Sequence, residues 1–169
     1  MELKDYIKSE LDGLKRGQSR ILKDLTQQDL AWRPSSGCNS MGLILFHVAK
    51  GEDSFILGSL QGKPALWSSQ KWYDKMNLPE SEAGNRYTVD QVNCFMVPDM
   101  KQLMAYYDTV RTETLRYLDT LKPADFDRKV KLPFGEFNVA GVFSVIASHT
   151  AQHNGEIAYL RGMLKGMDK

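Results

Sequence analysis

The sequence predicts an all-α protein, a bundle of four long helices with an extended connection between the second and the third. Three observations carry that prediction. Four long stretches repeat apolar side chains at helical spacing. Cap-forming residues stand at the starts of the later ones. The connections are unequal in length, as bundles permit, and the sequence holds no internal repeat or low-complexity segment.

From Leu3 to Leu25 the positions Leu3, Ile7, Leu11, Leu14, Gln18, Ile21, Leu22 and Leu25 keep helical spacing, while Lys4, Lys8, Asp12, Lys15 and Arg16 fall outside the stripe. Gln18 is its one polar member. Gly13 and Gly17 cost about 1 kcal/mol each relative to alanine unless a neighbour packs closely there. The stretch TQQDLAWRPSSGCNS, with Pro34 and Gly37, reads as a loop in which Trp32 plugs the end of the core. Asn39 or Ser40 then caps a second helix running to about Leu60. Its first half, Met41, Leu43, Ile44, Leu45, Phe46, Val48 and Ala49, is apolar on most of its circumference, which puts His47 near the core. Gly51 leaves room beside that imidazole, and Glu52 and Asp53 read as solvated.

Gln61 to Asn85 is poor in periodicity and holds Gly62, Pro64, Pro79 and Gly84. A connection of that length is often a functional flap or lid. Its aromatics Trp67, Trp72 and Tyr73 read as anchors onto the bundle in preference to ligand contacts. TVDQVNCF, capped by Thr88, predicts one or two helical turns before Pro98. Asp99 caps the third long helix, through Met100, Leu103, Met104, Tyr107, Val110, Thr114, Leu115, Leu118 and Leu121, which stops at Lys122 and Pro123. KVKLPFGEF predicts two short extended arms around a turn. The fourth helix runs from about Asn138 to Leu164 with Val142, Val145, Ile146, His149, His153, Glu156, Ile157 and Leu160 on one stripe.

Composition narrows the function. A chain of 169 residues is most economically one domain, and 42% hydrophobic with 25% charged residues is the profile of a soluble globular protein. With 22 basic against 21 acidic side chains, a net charge of +1 offers no field for a phosphate backbone, so nucleic acid is not an expected partner. Cys38 and Cys94 match neither a redox CxxC nor a zinc knuckle, which points to free thiols in a reducing cytoplasm. The N-terminal segment lacks the apolar run of a signal peptide. No stretch approaches the roughly 20 apolar residues of a membrane span.

The histidines are three in number, and all lie on apolar helical faces. His149 and His153 are spaced to project from one face about a turn apart. Such a pair chelates a metal ion, and His47 from another helix would complete a tripod with a coordination position left open. The pair alone reads better as separate core histidines, each with its own partner. Burying three uncoordinated imidazoles together would be costly, which favours the metal. Glu156 shares the face of the pair and stands as a fourth ligand, an acceptor for an imidazole N–H, a general base, or a simple ion-pair partner of Arg161. Cys38 is a remote candidate ligand; Met163, Met167 and the other methionines read as core filler.

The segments WRPSSGCNSMGLILFHVA, VPDMKQLMAYYDTVRTETLRYL and HTAQHNGEIAYLRG, in that order, resemble the DinB superfamily, the DinB and YfiT-like metalloenzymes. The resemblance covers nearly the whole chain. It implies a four-helix bundle, a divalent metal (zinc or nickel most often) on three histidines, and frequent homodimers. The family's histidine of the second helix carries over to His47 and the pair of its last helix to His149 and His153. Many relatives have Gly-Gln after the last histidine where this chain has Gly155 and Glu156, and the acid raises the prospect of a base. Family activities include metal-dependent transfer to low-molecular-weight thiols and hydrolysis or isomerisation of small molecules. The expectation is therefore a cytoplasmic metal-dependent enzyme with a small-molecule substrate. The alternative is a non-catalytic metal-binding or ligand-binding bundle.

Overall fold

A computed structural model describes residues 2–166. Helix α1 (Leu3–Leu22) buries Ile7, Leu11, Gln18 and Leu22. It ends three residues earlier than its apolar pattern, because Lys23 is extended and Asp24 takes a φ of +63°; Leu25 is buried all the same. Gln18 stays in the stripe by donating from Nε2 to Asn154 Oδ1 on the last helix at 3.4 Å. The following loop contains a short helix, α2 (Gln27–Ala31), that the turn-rich composition hid. Thr26 and Asp29 cap it reciprocally: Asp29 N donates to Thr26 Oγ1 at 3.2 Å and Thr26 N to Asp29 Oδ2 at 2.8 Å. Trp32 is half-buried and packs on the core.

Helix α3 (Met41–Asp53) starts where Ser40 Oγ accepts from Leu43 N, and it continues as a π-helical segment from Ser54 to Leu60. Glu52 and Asp53 are not solvated. They are 2% and 1% exposed, and both are engaged from other elements. Arg111 donates to Glu52 from Nε and Nη2, each at 2.8 Å, and to the carbonyl of Leu11 from Nη1 at 2.9 Å; Thr114 Oγ1 adds a bond of 2.6 Å. Burial opposes the charge of Arg111, but the adjoining Glu52 carboxylate outweighs it and holds the guanidinium above its ordinary pKa. Asp53 accepts from Leu66 N and Trp67 N, both at 2.9 Å, and from Tyr106 Oη at 2.7 Å, while burial pushes its pKa up. Sequence spacing hid these roles because acids look solvated by residue type, and only the packing of the helices Leu66–Ser69 and Met100–Thr120 against their side of α3 buries them.

Those backbone bonds tie the long connection to α3. Within Gln61 to Asn85 it forms two short helices, α4 (Leu66–Ser69) and α5 (Trp72–Met76), followed by a stretch without helix or strand; α6 (Val89–Cys94) then starts at its Thr88 cap, as its sequence predicts. Trp67 and Trp72 are buried, with ring centroids 5.8 and 5.4 Å from that of Tyr106, so both are anchors. Tyr106 belongs to α7 (Met100–Thr120), whose first turn is capped by Asp99. A hairpin follows, β1 (Lys129–Leu132) paired antiparallel with β2 (Gly135–Asn138), in register Val130 with Phe137. Asn138 Oδ1 accepts from Gly141 N at 2.8 Å and opens α8 (Val139–Lys165).

The four long helices form a closed ring of neighbours: α1 packs on α8, α8 on α3, α3 on α7 and α7 on α1. The molecule is mostly helical, and its core is shared by all four. Methionine is not only core filler: Met96 and Met163 are exposed, and Met167 lies outside the described residues. Among the described residues no helix is long and apolar enough to cross a membrane.

Candidate metal centre

The packing of α3 on α8 determines what the histidines meet. On α8 the fully buried seam is Val142, Ile146, Thr150, Asn154 and Ile157, and His149 and His153 lie beside it, half-buried. On α3 every residue from Met41 to Ala49 is buried except His47, which is half-buried too. All three imidazoles therefore stand at the margin of the core, nearer solvent than their apolar surroundings suggest. Gly51 makes room, though for a different ring than its spacing indicates: a Cβ there would lie 3.4 Å from Cε1 of His149.

The structure brings His47, His149 and His153 together, with one ligand-type atom from each lying within 4.8 Å of the others. Nε2 of His149 is 2.9 Å from Nε2 of His47 and 3.1 Å from Nε2 of His153. Imidazoles bound at ~2.0–2.1 Å to one ion, with angles between tetrahedral and octahedral, hold their nitrogens about 2.9–3.4 Å apart. The spacing fits.

The Nδ1–H of His47 donates to the carbonyl of Gly84 at 2.7 Å, and that of His153 to Glu156 Oε2 at 2.7 Å. A carbonyl and a carboxylate only accept, so both rings carry their proton on Nδ1 and point an Nε2 lone pair at His149. One Nε2–H on His149 could satisfy only one of them. Three converging lone pairs are the donor set of a cation, and imidazoles whose other nitrogen is held by a carbonyl or carboxylate are the usual form of metal-binding histidines. Burial lowers the pKa of His149 to about 4, with the charges of His153 and His47 adding to the effect and Glu156 opposing it. His47 is lowered as well, by burial first, against the pull of its Gly84 bond. Neutral imidazole is the form that binds metal.

Glu156 sits a turn beyond His153 with its side chain 41% exposed, against 14% for His153. Its other oxygen accepts from Gln152 Nε2 at 3.3 Å. Cys38 is apart from the cluster, its Sγ 3.1 Å from Ser35 Oγ. Gly84 is a site residue that sequence reading treats only as loop punctuation. Its φ of +74° admits few side chains, and a Cβ would come within 2.9 Å of Cβ and Cγ of Lys50. Glycine thus lets the chain lie against α3 and deliver its carbonyl to His47.

The family model of the DinB superfamily matches residues 11–157, a span that takes in His47, Gly84, His149, His153 and Glu156. The chain belongs to the DinB superfamily. A solved structure of similar fold, titled the crystal structure of the conserved protein of a locus from Enterococcus faecalis, superposes with a TM-score of 0.85 at 20% identity and covers 99% of each chain. At that identity the likeness speaks to fold. Comparison with curated proteins gives no match. The three-histidine cluster of this DinB-superfamily chain is compatible with a metal site.

Proposed function

We propose that this DinB-superfamily protein is a four-helix-bundle enzyme that uses a divalent metal, zinc or nickel, held by His47, His149 and His153, to act on a small molecule. The observation that carries the reading is the convergence of three Nε2 atoms whose rings have their Nδ1 protons committed elsewhere or are held neutral by burial. When bound, the metal supplies Lewis acidity, polarising an oxygen or sulfur donor so that it becomes a nucleophile near neutral pH. Thiol transfer, with a low-molecular-weight thiol as co-substrate, and hydrolysis are the reactions this serves.

The chain's own residues do the positioning. Gly84 and Glu156 fix the ring orientation and tautomer of His47 and His153 by accepting their Nδ1 protons. With one oxygen on His153 and the carboxylate half-exposed, Glu156 is the residue we assign to take a proton from the reacting group. Substrate access is supported by two cavities that flank the cluster. One of about 210 Å³ is bordered by His47 and His153, and one of about 720 Å³ by His47 and His149. That double exposure favours an open coordination position over a closed structural one.

Metal analysis of protein purified without a histidine tag tests the proposal. About one equivalent of zinc or nickel per chain is expected, lost on replacing His149 by Ala. Less than about a tenth of an equivalent, with no uptake on adding either ion, would overturn it.

A further inference from the structure

The larger cavity carries two cations that metal binding does not use. Lys50 lies one turn beyond His47 on α3, and Arg86 lies two residues beyond Gly84; both border the 720 Å³ space with His47 and His149. The stem of Lys50 is covered by Gly84, and its ammonium sits 4.3 Å from the ring centroid of Trp67. Burial lowers its pKa to about 8, against the pull of Asp53 and Glu82, which leaves it cationic at neutral pH.

Arg86 holds a φ of +53°, uncommon for a residue with a side chain. It also borders the smaller cavity on the His153 side, so one guanidinium-bearing residue flanks both approaches. Among the described residues its side chain makes no ion pair or hydrogen bond. The nearby acids are occupied. Asp53 accepts from two backbone N–H groups and Tyr106, and Glu82 accepts from Gly84 N at 3.2 Å and Tyr87 Oη at 2.8 Å.

Asp53, engaged as above, also borders this cavity, and two aromatic rings form part of the remaining wall. Phe55 from the π-helical segment meets Phe134 from the hairpin turn with ring centroids 6.0 Å apart, and Phe134 is 59% exposed. An exposed phenylalanine at a hairpin tip adds nothing to the core, but it gives the cavity an apolar face.

We propose that this cavity binds a small organic anion with an apolar body. Its carboxylate or phosphate is held by Lys50 and Arg86, its body rests against Phe55 and Phe134, and its far end is presented to the histidine cluster. Arg86 and Lys50 thereby select for charge, a guanidinium fork matching a planar carboxylate or a phosphate. The inference rests on the histidine cluster being a small-molecule site, but not on metal being bound.

The test is a titration followed by NMR on isotope-labelled, metal-free protein and again after zinc loading. The probes are hydrocinnamate, its uncharged isostere hydrocinnamide, and phenyl phosphate. Hydrocinnamate is expected to shift resonances around Lys50, Arg86 and Phe134 and to bind about tenfold more tightly than the amide. Arg86→Met and Lys50→Met should each weaken the acid about threefold or more and leave the amide unchanged. Arg86→Met alters an exposed side chain and should keep the melting temperature and zinc stoichiometry of the parent. The ratio of hydrocinnamate to phenyl phosphate affinity identifies which anion the pair prefers. Equal binding of acid and amide, shifts confined to another surface, or no shift at about 10 mM would overturn the proposal. Anion binding to protein that takes up no zinc would sink the metal reading alone; zinc uptake without charge selection would sink this one alone.

Discussion

Replacing Glu52 by Gln removes one buried charge and keeps the shape of the side chain. Glu52 is 2% exposed and Arg111 6%, and the pair joins α3 to α7 and, through the Leu11 carbonyl, to α1. In Glu52→Gln the guanidinium keeps Leu11 O and the hydroxyl of Tyr107 at 2.9 Å, but it loses its counter-charge and one of two strong acceptors. Breaking a buried ion pair from one side costs about 3–5 kcal/mol, because the partner is left charged in a poorly solvating place. At roughly 2–4 °C per kcal/mol for a chain of this size, the melting temperature should fall by about 6–20 °C. The double variant Glu52→Leu with Arg111→Met removes both charges and should recover most of that loss. Urea unfolding of the parent, Glu52→Leu, Arg111→Met and the double variant closes the cycle. A cost under about 1 kcal/mol for Glu52→Gln, or a double variant as unstable as the sum of the singles, would refute the account of α3 as anchored by a desolvated pair.

Glu156→Leu should weaken zinc binding about 10- to 100-fold in a chelator competition, and Glu156→Gln less, since the amide oxygen still accepts from His153 Nδ1. If Glu156 also handles a proton in the reaction, Glu156→Gln loses turnover far more than metal. Gly84→Ala must take a φ of +74° against the Lys50 stem, so it should cost about 1–3 kcal/mol by thermal unfolding and weaken zinc binding by displacing the carbonyl that orients His47. His149 has its pKa lowered from 6.5 to about 4 by burial, so the unfolded chain takes up its proton first as pH falls. Metal-free protein should therefore lose stability relative to His149→Gln as pH drops from about 6.5 to about 4, with no further divergence below. Urea midpoints across that range check it, and a parent that holds or gains stability relative to the variant on acidification would contradict it.

The three-histidine cluster was legible in the sequence because its parts obey local rules: helical spacing puts His149 and His153 a turn apart, and an apolar helix carries His47. Long helices were equally legible, since each repeats one pattern for many turns. What escaped depends on contacts across the chain. Glu52 and Asp53 look like solvated acids until Arg111, Tyr106 and the backbone of Leu66 and Trp67 are placed beside them. Gly84 differs from any loop glycine only in what its carbonyl touches, 37 residues from His47. The short helices α4 and α5 carry too few residues for a periodic signal, and their tryptophans mark them only as anchors. Lys50 and Arg86 are ordinary surface types in sequence, and it is the shared cavity that unites them.

The central claim, that three imidazoles hold one divalent metal, is tested most directly by a crystal structure of the zinc- or nickel-loaded protein with anomalous data collected on both sides of the metal edge. The account predicts one anomalous peak per chain, at about 2.0–2.2 Å from Nε2 of each of His47, His149 and His153. No peak at the cluster, or a metal held elsewhere with the three rings still in contact through their nitrogens, would contradict it.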